Sequence, residues 1–106
     1  MPKRDQGSKE HPIVALLDTL GRRWSLRIIW ELQDGPVKFR ALRKACDGVS
    51  PSVLNTRVRE LRRLELIKKT DHGYALTADG KSLAGHLGEL DRWARRWRKR
   101  HPDTSL

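Results

Sequence analysis

Apolar residues recur along this chain first at helical spacing and later in alternation, and the switch divides it into elements. In "HPIVALLDTLG", Ile13, Leu16, Leu17 and Leu20 fall on one helical face, and Gly21 stops the run. Pro12 stands at the first helical position, where its missing N–H costs nothing. "WSLRIIWELQDG" predicts a second helix, capped near Ser25 and ended by Asp34-Gly35-Pro36. "VKFRALRKACDG" predicts a third, with Phe39, Leu42 and Cys46 on one side. Ser50 is the expected N-cap of a fourth helix, and Pro51 marks the same start again. "LIKKT" and "YALT" alternate in part and read as short strands about the tight turn Asp71-His72-Gly73. Thr77 can cap a last helix, "ADGKSLAGHLGELDRWARRWRKR", which Pro102 ends. Residues 1–10 are polar and aperiodic, the expectation being a flexible basic tail.

The third and fourth helices, joined by "DGVS", have the length and turn of a helix-turn-helix, and the hairpin after them adds a wing. The expected fold is therefore mainly α with a small β-hairpin wing. A winged helix-turn-helix domain spans 11–77, and a C-terminal dimerisation helix spans 78–101. On a wheel of the fourth helix, Leu54, Val58, Leu61 and Glu65 share one side, flanked by Val53 and Leu64. Opposite them lie Ser52, Thr56, Arg59 and Arg63, with Asn55 and Arg62 at the margin. Short donors and acceptors near a helix N-terminus reach base edges in a major groove, and arginines further along reach guanine or phosphate.

Charge strengthens that reading. Lys and Arg number 23 against 13 Asp and Glu, a formal +10, which calls for a polyanionic partner. Between Lys38 and Arg63, eight basic residues face two acids, Asp47 and Glu60. The candidate DNA-binding set is Lys38, Arg40, Arg43, Ser50, Ser52, Asn55, Thr56, Arg59, Arg63, Lys68 and Lys69. Arg57 lies toward the buried edge, where pairing with an internal acid competes with DNA contact, and Lys68 and Lys69 serve either wing phosphate contact or edge-strand protection. Against a sequence-specific regulator stand a winged-helix module that docks on protein or RNA, and a basic membrane-surface protein; the second is disfavoured.

The lone cysteine, Cys46, excludes a disulfide framework and fits a reducing cytosol. No apolar run approaches the ~18 residues of a membrane span, and the start has no secretory pattern. A soluble cytoplasmic protein without a membrane partner is expected. His11, His72, His86 and His101 show no metal-ligand spacing, no nucleophile is paired with a base, and no glycine-rich phosphate loop is present. Neither enzyme activity nor a metal or other cofactor is expected. In the last helix Leu83, Leu87, Leu90, Ala94 and Trp97 form an apolar stripe with Trp93 at its edge, wide for so small a domain to cover, and the alternative to a partner is that the helix folds back on its own core. A symmetric dimer covers it, with Ile13, Leu16 and Leu17 of the first helix packing beside it.

Four stretches, "GRRW", "DGPVKFRALRKA", "GVSPSVLNTRVREL" and "YALTADGKSL", make the chain resemble the HxlR-type winged helix-turn-helix regulators, relatives of the MarR group. The resemblance covers about residues 11–97. It implies a homodimeric transcription regulator on double-stranded DNA with a partly palindromic operator, a repressor more often than an activator. Its recognition helix would run from Ser50 to about Leu64, with dimer contacts from the first and last helices and a small-molecule effector of unspecified chemistry. Two departures stand out. His11 precedes Pro12 where redox-sensing members carry cysteine, so thiol sensing of that kind is not expected. The wing loop "TDHGY" is short for the family.

Overall fold

A computed structural model describes residues 11–106, so the expected tail at 1–10 lies outside the described residues. The order is α1 (Pro12–Leu20), α2 (Ser25–Glu31), α3 (Phe39–Ala45), α4 (Pro51–Arg63), β1 (Ile67–Thr70), β2 (Gly73–Leu76) and α5 (Ala78–Arg100). This is the mainly α, winged helix-turn-helix architecture the pattern predicts. Its core gathers Ile28, Ile29 and Leu32 from α2 and its exit, Leu42 and Cys46 from α3, and Leu54, Val58 and Leu61 from α4. Leu66, Ile67 and Leu76 close it from the hairpin, and Ala84 closes it from α5.

Local chemistry sets the starts. Ser50 caps α4, its hydroxyl accepting from the Val53 N–H at 3.3 Å. Thr77 caps α5, accepting from the Gly80 N–H at 3.0 Å while its own O–H donates to the Glu65 carbonyl at 2.6 Å. One side chain thereby ties the exit of α4 to the entry of α5.

Three expectations change. Ser25 does not cap α2. Trp24 is the cap residue, in the left-handed region at φ 81°, and Ser25 is already helical and fully buried. Its hydroxyl has no hydrogen-bond partner, because the core closes over it. Glu65 does not extend the buried face of α4. The helix ends at Arg63, and Glu65 turns out to solvent at φ 58°. The apolar stripe resumes only with Leu66, after the chain has reversed. Gly73 belongs to β2 and not to the turn, and it pairs with Thr70.

The hairpin also takes an isolated antiparallel bridge from outside it, which sequence reasoning missed. Val37, just before α3, bridges Tyr74 with reciprocal N–H···O bonds of 2.9 Å. The backbones approach so closely that a Cβ on Gly73 would overlap the Val37 carbonyl. Gly80 is constrained likewise, since a Cβ there would overlap the Leu66 carbonyl oxygen.

Candidate nucleic-acid interface

The turn between α3 and α4 is held by backbone and side chain together. Asp47 and Gly48 both adopt positive φ, 56° and 71°, and the Gly48 N–H closes on the Arg43 carbonyl at 2.9 Å. Arg43 then reaches across the turn, its Nε donating to the Val49 carbonyl at 2.7 Å. From the other side Arg27 donates to the Ala45 carbonyl at 2.8 Å while its Nε bonds Glu31 at 2.7 Å. Two arginines thus brace the turn, Arg27 on the Ala45 carbonyl left open at the end of α3 and Arg43 on the Val49 carbonyl just before α4. Arg43, expected as a DNA contact, spends its Nε on this turn and is half-buried.

On α4, Ser52, Asn55, Thr56, Arg59, Arg62 and Arg63 are all exposed, opposite buried Leu54, Val58 and Leu61. The outward face is polar at its start and cationic at its end. The Thr56 hydroxyl donates to the Ser52 carbonyl at 2.9 Å, so toward a ligand it presents lone pairs and a methyl group. Those suit an exocyclic amine or a thymine methyl. Arg59, Arg62 and Arg63 form no ion pair among the described residues. Arg57 is different. Its Nε donates to the Arg23 carbonyl at 2.9 Å and its Nη1 pairs with Glu60 at 2.9 Å, which settles it as an internal contact.

Along α3 and the turn after it, Lys38, Arg40, Arg43, Lys44 and Gly48 line an open depression of about 610 Å³. Lys38 also borders a second depression, about 400 Å³, shared with Lys69, Thr70 and Tyr74 of the hairpin. Lys38 therefore joins the basic side of α3 to one side of the wing. Lys68 lines a separate hollow with Gln33, Pro36 and Lys81, so strand alternation separates two lysines that the sequence places together. The wing itself is minimal. Asp71 and His72 make the turn, braced by the Thr70 hydroxyl, which donates to the Gly73 carbonyl at 2.8 Å and accepts from the His72 N–H at 3.1 Å.

The profile of the HxlR-like helix-turn-helix family matches residues 19–102. The chain belongs to that family. Among its relatives is the uncharacterised HTH-type transcriptional regulator YvaP of Bacillus subtilis, 36% identical over 76% of this chain and 82% of that one. The HTH-type transcriptional regulator YodB of the same organism is 30% identical over 71% and 73%. In three dimensions quinone-bound YodB superposes with a TM-score of 0.73 at 29% identity, covering 80% of this chain and 97% of that one. A MarR-family transcriptional regulator from Enterococcus faecalis V583 superposes with a TM-score of 0.75 at 26% identity, covering 91% and 94%. The HxlR-like fold and its exposed, cationic fourth helix make this chain a DNA-binding transcription regulator.

Among the described residues no three or more His, Cys, Asp or Glu side chains gather as a metal site, and no helix is long and apolar enough to cross a membrane. Cys46 is fully buried at the end of α3, and burial pushes its thiol pKa up, against the smaller opposing pull of Arg27.

The residues expected at a dimer seam fall into three groups. Leu16, Leu83 and Leu87 are half-buried against the chain's own core. Ile13, Leu17, Leu90 and Trp93 are 59%, 52%, 55% and 50% exposed. Ala94 and Trp97 are half-buried, Ala94 in a crevice with Leu26, Trp30 and Leu90 and Trp97 stacked between Trp93 and His101. Gly85, on the same helix, has open space where a Cβ would be.

Proposed function

We propose that this regulator binds a partly palindromic operator as a homodimer and acts as a cytoplasmic repressor. The observation that carries the reading is the outward face of α4, polar at its N-terminal turns and cationic beyond, with a second basic surface in the hollow along α3 and the turn. That order suits base edges first and guanine or phosphate next. The dimer follows from surface left uncovered by the monomer. Ile13 and Leu17 on α1, with Leu90 and Trp93 on α5, expose large apolar side chains. One recognition helix reads a half-site, and two-fold pairing sets two of them about one DNA turn, ~34 Å, apart. A small-molecule effector fits this scheme, since the similar YodB has been solved with quinone bound. The buried Cys46 argues against a thiol route to it here.

The test is selection of bound sequences from a random duplex pool, followed by titration at several salt concentrations. The expected outcome is a two-fold symmetric sequence and a ~10³–10⁵ loss of affinity between 50 and 200 mM salt, as for 6–10 phosphate contacts. Recovery of no preferred duplex, with tight binding to RNA or protein instead, would replace the operator reading.

A further inference from the structure

We propose that Glu60 is a positioning residue for base reading: it anchors the recognition helix to the corner between α1 and α2 and so sets which side chains of α4 meet the bases. The inference rests on α4 being the DNA-reading helix.

Glu60 is the one acid on α4, a helix that carries Arg57, Arg59, Arg62 and Arg63. A free carboxylate there would repel phosphate and lower affinity for any duplex. The structure neutralises it twice. One oxygen pairs with Arg22 from the α1–α2 corner, and the other meets Arg57 Nη1 at 2.9 Å. The Glu60 side chain is only 13% exposed and that of Arg57 21%, so the pair is screened less than a surface bridge. Arg57 completes the joint by donating from Nε to the Arg23 carbonyl at 2.9 Å. Within the corner, Trp24 takes the left-handed conformation, with the Arg23 guanidinium 5.1 Å from its ring. Two consecutive corner residues thus grip two side chains on one flank of α4.

That flank lies between the buried stripe and the outward face. Leu54, Val58 and Leu61 hold the apolar stripe of the helix in the core, but apolar attraction is non-directional and opposes small rotations weakly. A carboxylate bonded on both oxygens and a guanidinium held on two sides are directional. Rotation about the axis would swing Asn55, Thr56 and Arg59 together, altering base contacts while leaving diffuse attraction to phosphate largely intact.

The experiment uses the full chain, the duplex enriched from a random pool, and a scrambled duplex of equal length. Glu60→Gln should bind the scrambled duplex at least as well as wild type, having lost a negative charge. Its preference for the enriched duplex should fall about tenfold, the worth of one well-made base contact. Arg22→Gln should lose the same preference although it alters a different element. The double variant should lose little more than either single, as expected of partners in one joint. Arg57→Lys should also lose preference, because an ammonium keeps the charge but cannot reproduce the two-sided guanidinium geometry. Thermal unfolding confirms that each variant is folded. If Glu60→Gln fails to fold, Arg22→Gln decides, since its side chain is half exposed. Unchanged preference in a folded Glu60→Gln or in Arg22→Gln, with affinities for both duplexes moving together, would overturn the proposal and leave Glu60 a mere charge. A wild type that shows no preference at all would instead remove the operator reading and this proposal with it.

Discussion

Helices α4 and α5 are both amphipathic and both end in basic residues, yet the fold treats their apolar sides in opposite ways. On α4, Leu54, Val58 and Leu61 are between 0% and 2% exposed. On α5 only the first turns are closed, at Gly80 and Ala84, and by Leu90 and Trp93 half of each side chain faces solvent. A helix whose apolar face is mostly used inside the domain, as on α4 where only Val53 at the flank is exposed, offers chiefly its polar face to a partner. A helix whose apolar face is left open offers that instead. The difference separates a surface suited to a polyanion from one suited to a second protein surface, and the proposed dimer is the copy that completes the second.

The largest effect expected from this contrast is on assembly. Leu90→Glu or Trp93→Glu places a charge on the open face, where burial against a partner is costly, and should weaken self-association by more than about a hundredfold. Sedimentation should report a monomer, and a gel shift should show weakened binding to the enriched duplex. A dimer of undiminished strength would move the seam off α5. Next comes the same truncation applied to each helix. Leu54→Ala should cost ~2–5 kcal/mol of folding stability through the cavity it leaves. Leu90→Ala should stay within ~0.5 kcal/mol when the protein is dilute enough to be monomeric. Denaturant unfolding at two protein concentrations checks both, and equal costs in dilute protein would erase the contrast.

A smaller change is expected at the polar face. Arg59→Ala should cost ~1–3 kcal/mol on the enriched duplex if its guanidinium reads guanine, with relaxed preference at one base pair. A loss of equal size on every duplex would make Arg59 a phosphate contact. The smallest effect is expected at Cys46. Its thiol is buried and its pKa is raised, so diamide should leave duplex affinity unchanged. Release from DNA that disappears in Cys46→Ser would show that the core around α3 opens.

Much of the architecture was legible because it rests on local physics. Pro12, Ser50 with Pro51, and Thr77 mark helix starts through backbone groups within a few residues, and the structure places α1, α4 and α5 at those starts. The start of α2 departs from its local signals for the complementary reason. Ser25 has the composition of a cap, but Trp24 is drawn against the core, and its left-handed turn begins the helix one residue sooner than a cap at Ser25 allows. Composition along the chain carried no sign of that packing. The two lysines of β1 were adjacent in sequence and so were grouped, whereas the pleat sends them to separate hollows.

By itself, then, the sequence determined which segments are helical, where α1, α4 and α5 begin, and that α4 would turn a polar and cationic side outward, since periodicity and capping act over one or two turns. Tertiary structure alone decided what each arginine does. Arg43 went to the turn carbonyl of Val49, and Arg57 to a carboxylate three residues away and a carbonyl 34 residues distant. Arg22 went to Glu60, 38 residues away, and Val37 to the edge of β2. A guanidinium has the same charge and reach wherever it occurs. Whether it faces DNA or a protein acceptor depends on which distant backbone the core has brought within about 3 Å of it.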